Sequence, residues 1–173
     1  MREAVTEPRL RELMRAIAVA AGERGRIYLT GGSSAVLHGW RESTVDVDIK
    51  IVPEEDRILR AIPDIKERLH INVELASPAD FVPALPGWED RSPFIAQEGP
   101  LSFHHFDFYT QCLSKLERGH RKDRADVESM LRDGLVDVDR LRALFAEVED
   151  SLYRYPAIDA AALRRAVESF GVR

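Results

Sequence analysis

Two aspartates, Asp46 and Asp48, stand in the run Thr44-Val-Asp-Val-Asp-Ile-Lys-Ile-Val52, where Val45, Val47, Ile49 and Ile51 occupy the alternate positions. Aspartate is a poor strand former, yet the alternation is that of a strand with Asp46, Asp48 and Lys50 on one face. Strand rise puts the two aspartate Cα atoms roughly 6.5 to 7 Å apart. Like charges at that spacing repel unless something positive lies between them. A divalent cation answers this, because Mg²⁺ takes one or two carboxylates and fills its remaining positions with water and phosphate oxygens. The plain alternative is the solvated face of an edge strand.

Upstream lies Leu29-Thr-Gly-Gly-Ser-Ser34. Gly31 and Gly32 let an anion approach the backbone, and Ser33 or Ser34 is the expected N-cap of a short helix ending at Gly39, whose first amides point outward. Arg41 follows in the connecting loop. A second pair of polar residues, Asn72 and Glu74, shares one face of the run Ile71-Asn-Val-Glu-Leu75.

These residues need elements to position them. Thr6 and Pro8 open a helix marked by Leu10, Leu13, Met14, Ile17 and Ala21. Arg26–Thr30 reads as the first strand, Thr44–Val52 as the second and Ile71–Leu75 as the third. Between the last two, Glu54-Glu55-Asp56 opens a helix to about Ala61, and Pro63-Asp64 is expected to start another short piece. Pro83, Pro86 and Gly87 mark a loop. Phe94–Gln97 and Leu101–Phe106 around Glu98-Gly99 read as a hairpin. Asp107 caps a helix to Gly119, a second runs from about Arg121 to Leu131, and helical patterns cover Asp137–Leu152 and the stretch from Asp159 to Phe170. Strands with interspersed helices followed by helices alone imply an α/β or α+β body over residues 1–106 and a helical part over 107–173.

Composition narrows the class. With 173 residues, 45% of them hydrophobic and 32% charged, the chain is sized for one well-buried core. No apolar run approaches the roughly 18 residues a membrane helix needs, and the charged N-terminus does not look like a secretory signal. Its single cysteine, Cys112, fits a reducing cytoplasm and reads as a small buried apolar residue. A net charge of −5 argues against a general nucleic-acid coat, although Lys115, Arg118, Arg121, Lys122 and Arg124 cluster. His104 and His105 alternate faces and cannot share one metal.

The turn Gly31-Gly32-Ser33, the spacer to Val45 and the motif Asp46-Val-Asp48-Ile49 resemble the nucleotidyltransferase superfamily of the polymerase β type. That resemblance implies a mixed β-sheet flanked by helices, with the turn from Gly31 to Ser34 holding a nucleoside triphosphate. It further implies Asp46, Asp48 and a third carboxylate, here Glu74, as ligands of Mg²⁺ or Mn²⁺, the third also helping to deprotonate the attacking hydroxyl. Many relatives place an arginine in the spacer near the triphosphate, the position of Arg41.

The segment Lys115-Leu-Glu-Arg-Gly-His-Arg-Lys-Asp123-Arg-Ala-Asp126 is similar to bacterial nucleotidyltransferase toxins of the AbiEii kind. The likeness implies that Lys115 contacts the triphosphate, that Asp123 or Asp126 acts in the active site, and that Arg121 neutralises phosphate charge. The plainer reading is a charged helical hairpin with Asp123 as N-cap of its second helix. The expected activity is transfer of a nucleoside monophosphate from an NTP to a hydroxyl of a tRNA or other RNA, a protein or a small molecule, in a cytoplasmic protein that could have a cognate antitoxin. The alternative is a catalytically inactive protein of the same fold that binds or regulates, in the manner of an antitoxin.

Overall fold

The strands come from four separated stretches of chain, and their pairing decides which polar residues meet. The computed structural model describes residues 3–172. They form two compact units, residues 3–77 with 93–105, and residues 78–92 with 106–172.

The first unit opens with helix α1 (Glu7–Ala20), which buries Leu10, Leu13, Met14 and Ile17 along one face. Strand β1 (Gly25–Thr30) leads through the glycine turn into helix α2 (Gly32–Leu37). Strand β2 (Asp46–Val52) and strand β3 (Asn72–Leu75) flank helix α3 (Asp56–Leu69). A hairpin of β4 (Phe94–Glu98) and β5 (Leu101–His105) completes a five-stranded sheet in the order β3-β2-β1-β5-β4.

The sheet is mixed. β1 runs antiparallel to β2 and parallel to β5, while β2 runs parallel to β3. In β2 the inward positions Val47, Ile49 and Ile51 are buried and join Ile27, Leu29, Phe103 and the apolar faces of α1 and α3 in one core. Burying that set is what sets the register, since a slip of one residue would turn the aspartates inward.

Three expectations change here. Val45 lies just before β2 and is 53% exposed, so the core face of the strand starts at Val47. Helix α3 is continuous through Pro63. Proline denies that helix one backbone hydrogen bond, and burial of Ile58, Ile62 and Ile65 along one stripe holds it together. The N-cap of α2 is Gly31, which places Ser33 and Ser34 inside the helix.

The second unit is helical. α4 (Phe108–Arg118) is capped by Asp107, whose carboxylate accepts from the backbone N–H groups of Tyr109 and Thr110. α5 (Arg121–Arg132), α6 (Val138–Val148), a 3₁₀ stretch (Glu149–Arg154) and α7 (Ala160–Ser169) follow. Asp137 and Asp159 cap α6 and α7 as their positions suggest. The loop Pro78–Ser92 belongs to this unit: Arg91 grips Asp107 at 2.8 Å, and Trp88 stacks on Phe106 with ring centres 4.4 Å apart. Cys112 is fully buried, and that burial pushes its thiol up, away from nucleophilic use. Among the described residues no helix is long and apolar enough to cross a membrane.

Candidate active site

The turn after β1 is built by two glycines with different jobs. Gly31 adopts φ +61°, a backbone that L side chains rarely take, and a Cβ there would lie 3.3 Å from Asp48 Oδ2. Gly32 has an ordinary φ, but a Cβ on it would come within 2.2 Å of Thr44 Oγ1. Thr44 is held in place by a backbone bridge to Val5 and by donating its hydroxyl to Asp46 O at 3.1 Å. The turn is thus pressed against the start of β2, and neither glycine tolerates a side chain easily.

Ser33 and Ser34 point inward. Ser33 Oγ donates to Thr30 O at 2.7 Å, and Ser34 Oγ donates to Leu29 O at 3.1 Å. Both are buried, so their hydroxyls tie the helix to the end of β1. What this turn can offer an anion is backbone N–H groups, since first-turn amides have no carbonyl partner inside their helix. Ser34 Oγ also meets His105 Nδ1 at 3.0 Å. His105 is buried, and burial above all, helped by the charge of His38, lowers its pKa to about 3, so the ring is neutral at neutral pH. His104 takes the opposite face, with Nε2 at 3.1 Å from Ser102 Oγ. Arg41 is half-buried in the loop between α2 and β2.

Asp46 and Asp48 occupy the first and third positions of β2, both half-buried and on the face opposite Val47 and Ile49. Thr30 of β1 lies across from Asp48. On the other side, parallel pairing aligns Asp46 with Asn72 and Asp48 with Glu74. The Asn72 amide donates to Asp46 Oδ1 at 2.7 Å and to Glu74 Oε1 at 2.9 Å. Asp46, Asp48 and Glu74 are therefore brought together on one face.

Only oxygen donors are present in that set, which suits a hard divalent cation. Among the described residues no three His, Cys, Asp or Glu side chains converge closely enough to cage a metal by themselves. The fit is to two strand carboxylates with open positions left for water and phosphate oxygens, the usual manner of Mg²⁺.

The residues of the second segment are placed differently. Lys115 is 6% exposed, with Nζ 2.6 Å from Asp126 Oδ2 and 3.6 Å from Asp123 Oδ1. Arg118 grips Asp123 with both prongs, Nε to Oδ2 at 2.8 Å and Nη2 to Oδ1 at 2.6 Å. Burial would raise the Asp123 pKa, but the Arg118 hydrogen bonds, the charges of Lys115 and Arg118 and the His120 backbone N–H outweigh it and hold the carboxyl below its usual range. The N-cap of α5 is His120, so Asp123 stands in the first turn and reaches back to the cap. Arg121 is exposed at the start of α5. Two cations and two carboxylates lock α4 to α5.

Asn72, Thr44 and Arg118 are the residues that motif reading passes over. Asn72 had one signal, its place two residues before Glu74 in a strand with the same polar alternation as Asp46 and Asp48.

A family model described as "Nucleotidyltransferase of unknown function (DUF6036)" matches residues 9–170. No curated protein and no solved structure gives a match.

Proposed function

The chain belongs to that nucleotidyltransferase family, and from this premise we propose that it transfers a nucleoside monophosphate from an NTP to an acceptor hydroxyl, with Mg²⁺ or Mn²⁺ held by Asp46 and Asp48. The observation that carries the reading is the pair of β2 carboxylates on one face, with Asp48 beside the Gly31 turn. Backbone N–H groups of the turn hold triphosphate oxygens. Asp46 and Asp48 would hold the cation, which would supply charge neutralisation at the phosphate.

The acceptor oxygen forms a bond to the α-phosphorus as the bond from that phosphorus to the bridging oxygen breaks, and pyrophosphate leaves with that electron pair. The proton of the attacking hydroxyl passes to a carboxylate, for which Glu74 is the proposed acceptor by its pairing with Asp48. In this reading Lys115 and Asp123 hold the α4–α5 hairpin, because the Lys115 ammonium is already committed to Asp126 and Asp123. Arg41, in the loop between α2 and β2, is the cation proposed to meet phosphate.

The likeness of residues 115–126 to AbiEii-type toxins supports an RNA or protein acceptor and a cognate antitoxin. Incubation of the chain with α-labelled NTPs, Mg²⁺ and cellular RNA or protein fractions tests this, with label expected in one acceptor class. Transfer that persists undiminished in both Asp46→Asn and Asp48→Asn would sink the assignment. That no three acids among the described residues converge into a metal cage is the observation that favours the inactive, binding-only reading. Calorimetry separates the two: cation-dependent NTP binding with turnover supports the enzyme, and no NTP binding at millimolar ligand supports the rival.

A further inference from the structure

We infer that Asn72 is a positioning residue of the carboxylate site, orienting Asp46 toward a bound divalent cation and holding Glu74 beside it; the inference rests on the metal-site reading above. Parallel pairing of β2 with β3 puts Asp46 beside Asn72 and Asp48 beside Glu74. Three corners of this array are acids, and the fourth is an amide.

The chemistry of the corner is one-sided. Carboxylates of Asp46 and Glu74 only accept hydrogen bonds, so the Asn72 nitrogen, not its oxygen, faces them. Its two N–H groups are used once each, at 2.7 Å to Asp46 Oδ1 and 2.9 Å to Glu74 Oε1. One oxygen of each acid is thereby fixed.

Burial makes the amide an effective anchor. Asn72 is 7% exposed between the buried Ile71 and Val73, whereas Glu74 is exposed and carries a long side chain that would otherwise sample solvent. The anchor is also neutral. A lysine at this corner would compete with a metal ion for the acids, and an aspartate would add a fourth negative charge. An amide orients the acids while leaving their charge for the cation, the service that hydrogen-bonding partners commonly give to ligating carboxylates.

The test uses the whole chain without nucleotide and reads Mn²⁺ binding by calorimetry together with melting temperature with and without Mn²⁺. Asn72→Ala is expected to weaken Mn²⁺ binding about tenfold or more. Asn72→Asp keeps the shape but replaces the donor with a fourth acid. Its melting temperature is expected to fall without cation, and Mn²⁺ is expected to raise it by more than it raises that of the wild type.

A purely structural asparagine would lower melting in Asn72→Ala and leave Mn²⁺ affinity unmoved. That result, with Asp46→Asn abolishing Mn²⁺ binding, overturns the inference and leaves the metal-site reading standing. Should Asn72→Ala fail to fold, a Mn²⁺-induced rise in Asn72→Asp no larger than that of the wild type overturns it equally. Wild-type Mn²⁺ affinity in Asp46→Asn removes the metal-site reading, and the inference with it.

Discussion

The two units each gather acids, and they treat them in opposite ways. In the first, Asp46 and Asp48 are half-buried, Glu74 is exposed, and the donor that joins Asp46 to Glu74 is a neutral amide. In the second, Asp123 and Asp126 are buried and matched one for one by Arg118 and Lys115. Carboxylates set on one face beside a glycine turn suit a passing cation and its phosphate. Carboxylates enclosed with their own cations are already satisfied, and they serve to fix two helices. Proximity of acids in a fold therefore does not define a reactive site; the charge and mobility of what faces them does.

The sharpest way to break this contrast is to change the acids themselves. Asp46→Asn or Asp48→Asn should reduce nucleotidyl transfer by on the order of 10³-fold, the several kcal/mol that metal charge stabilisation supplies. Melting temperature should barely change. A transfer rate near that of the wild type, measured with α-labelled NTP, would place the chemistry elsewhere.

In the second unit the balance should reverse. Lys115→Ala leaves Asp126 buried without its ammonium, for a loss of about 3–5 kcal/mol of stability. Replacing Lys115 and Asp126 together by apolar residues of similar size should recover most of that loss, because the pair's desolvation cost disappears with it. Chemical denaturation of the single and double variants reads both effects. A Lys115→Ala variant as stable as the wild type would mean that the pair is not structural.

A smaller effect is expected at the turn. Gly32→Ala drives a methyl against Thr44 Oγ1 and should cost about 1–3 kcal/mol, while Thr44→Ala in the same chain should return part of it. Thermal melts decide this, and full stability in Gly32→Ala would show that the turn is looser than its packing indicates.

A further test concerns acid. The His105 pKa falls from 6.5 in the unfolded chain to about 3 in the fold, chiefly through burial. Between those values the unfolded chain binds the proton and the folded one does not, so His105 makes stability fall as pH drops from 6.5 toward 3. His105→Asn keeps a donor toward Ser34 without the titration and should flatten that part of the stability profile. An unchanged slope from urea melts across the range would assign the acid loss to other groups.

Much of this was written in the chain. Alternation around Asp46 and Asp48, the Gly31-Gly32 turn and the caps at Asp107, Asp137 and Asp159 depend on neighbours within a few residues, and local physics alone specifies them. The same locality explains why Pro63 misled: it breaks an isolated helix, but the buried stripe of Ile58, Ile62 and Ile65 is a tertiary force that a short window cannot weigh. Ser33 and Ser34 likewise look like caps until the close approach of Gly32 to Thr44 shows where the helix starts.

What the sequence determined by itself was the inventory: two acids on one strand face, a glycine turn before them and the family to which such a pattern belongs. The tertiary structure decided which of the remaining polar residues join them. Only the parallel register of β2 on β3 brings Asn72 to Asp46 and Glu74 to Asp48, and only the packing of α4 on α5 draws Lys115 onto Asp126. Register and helix packing are set by burying apolar faces that lie far apart in the chain, so the partners of a charged residue are chosen by hydrophobic residues elsewhere.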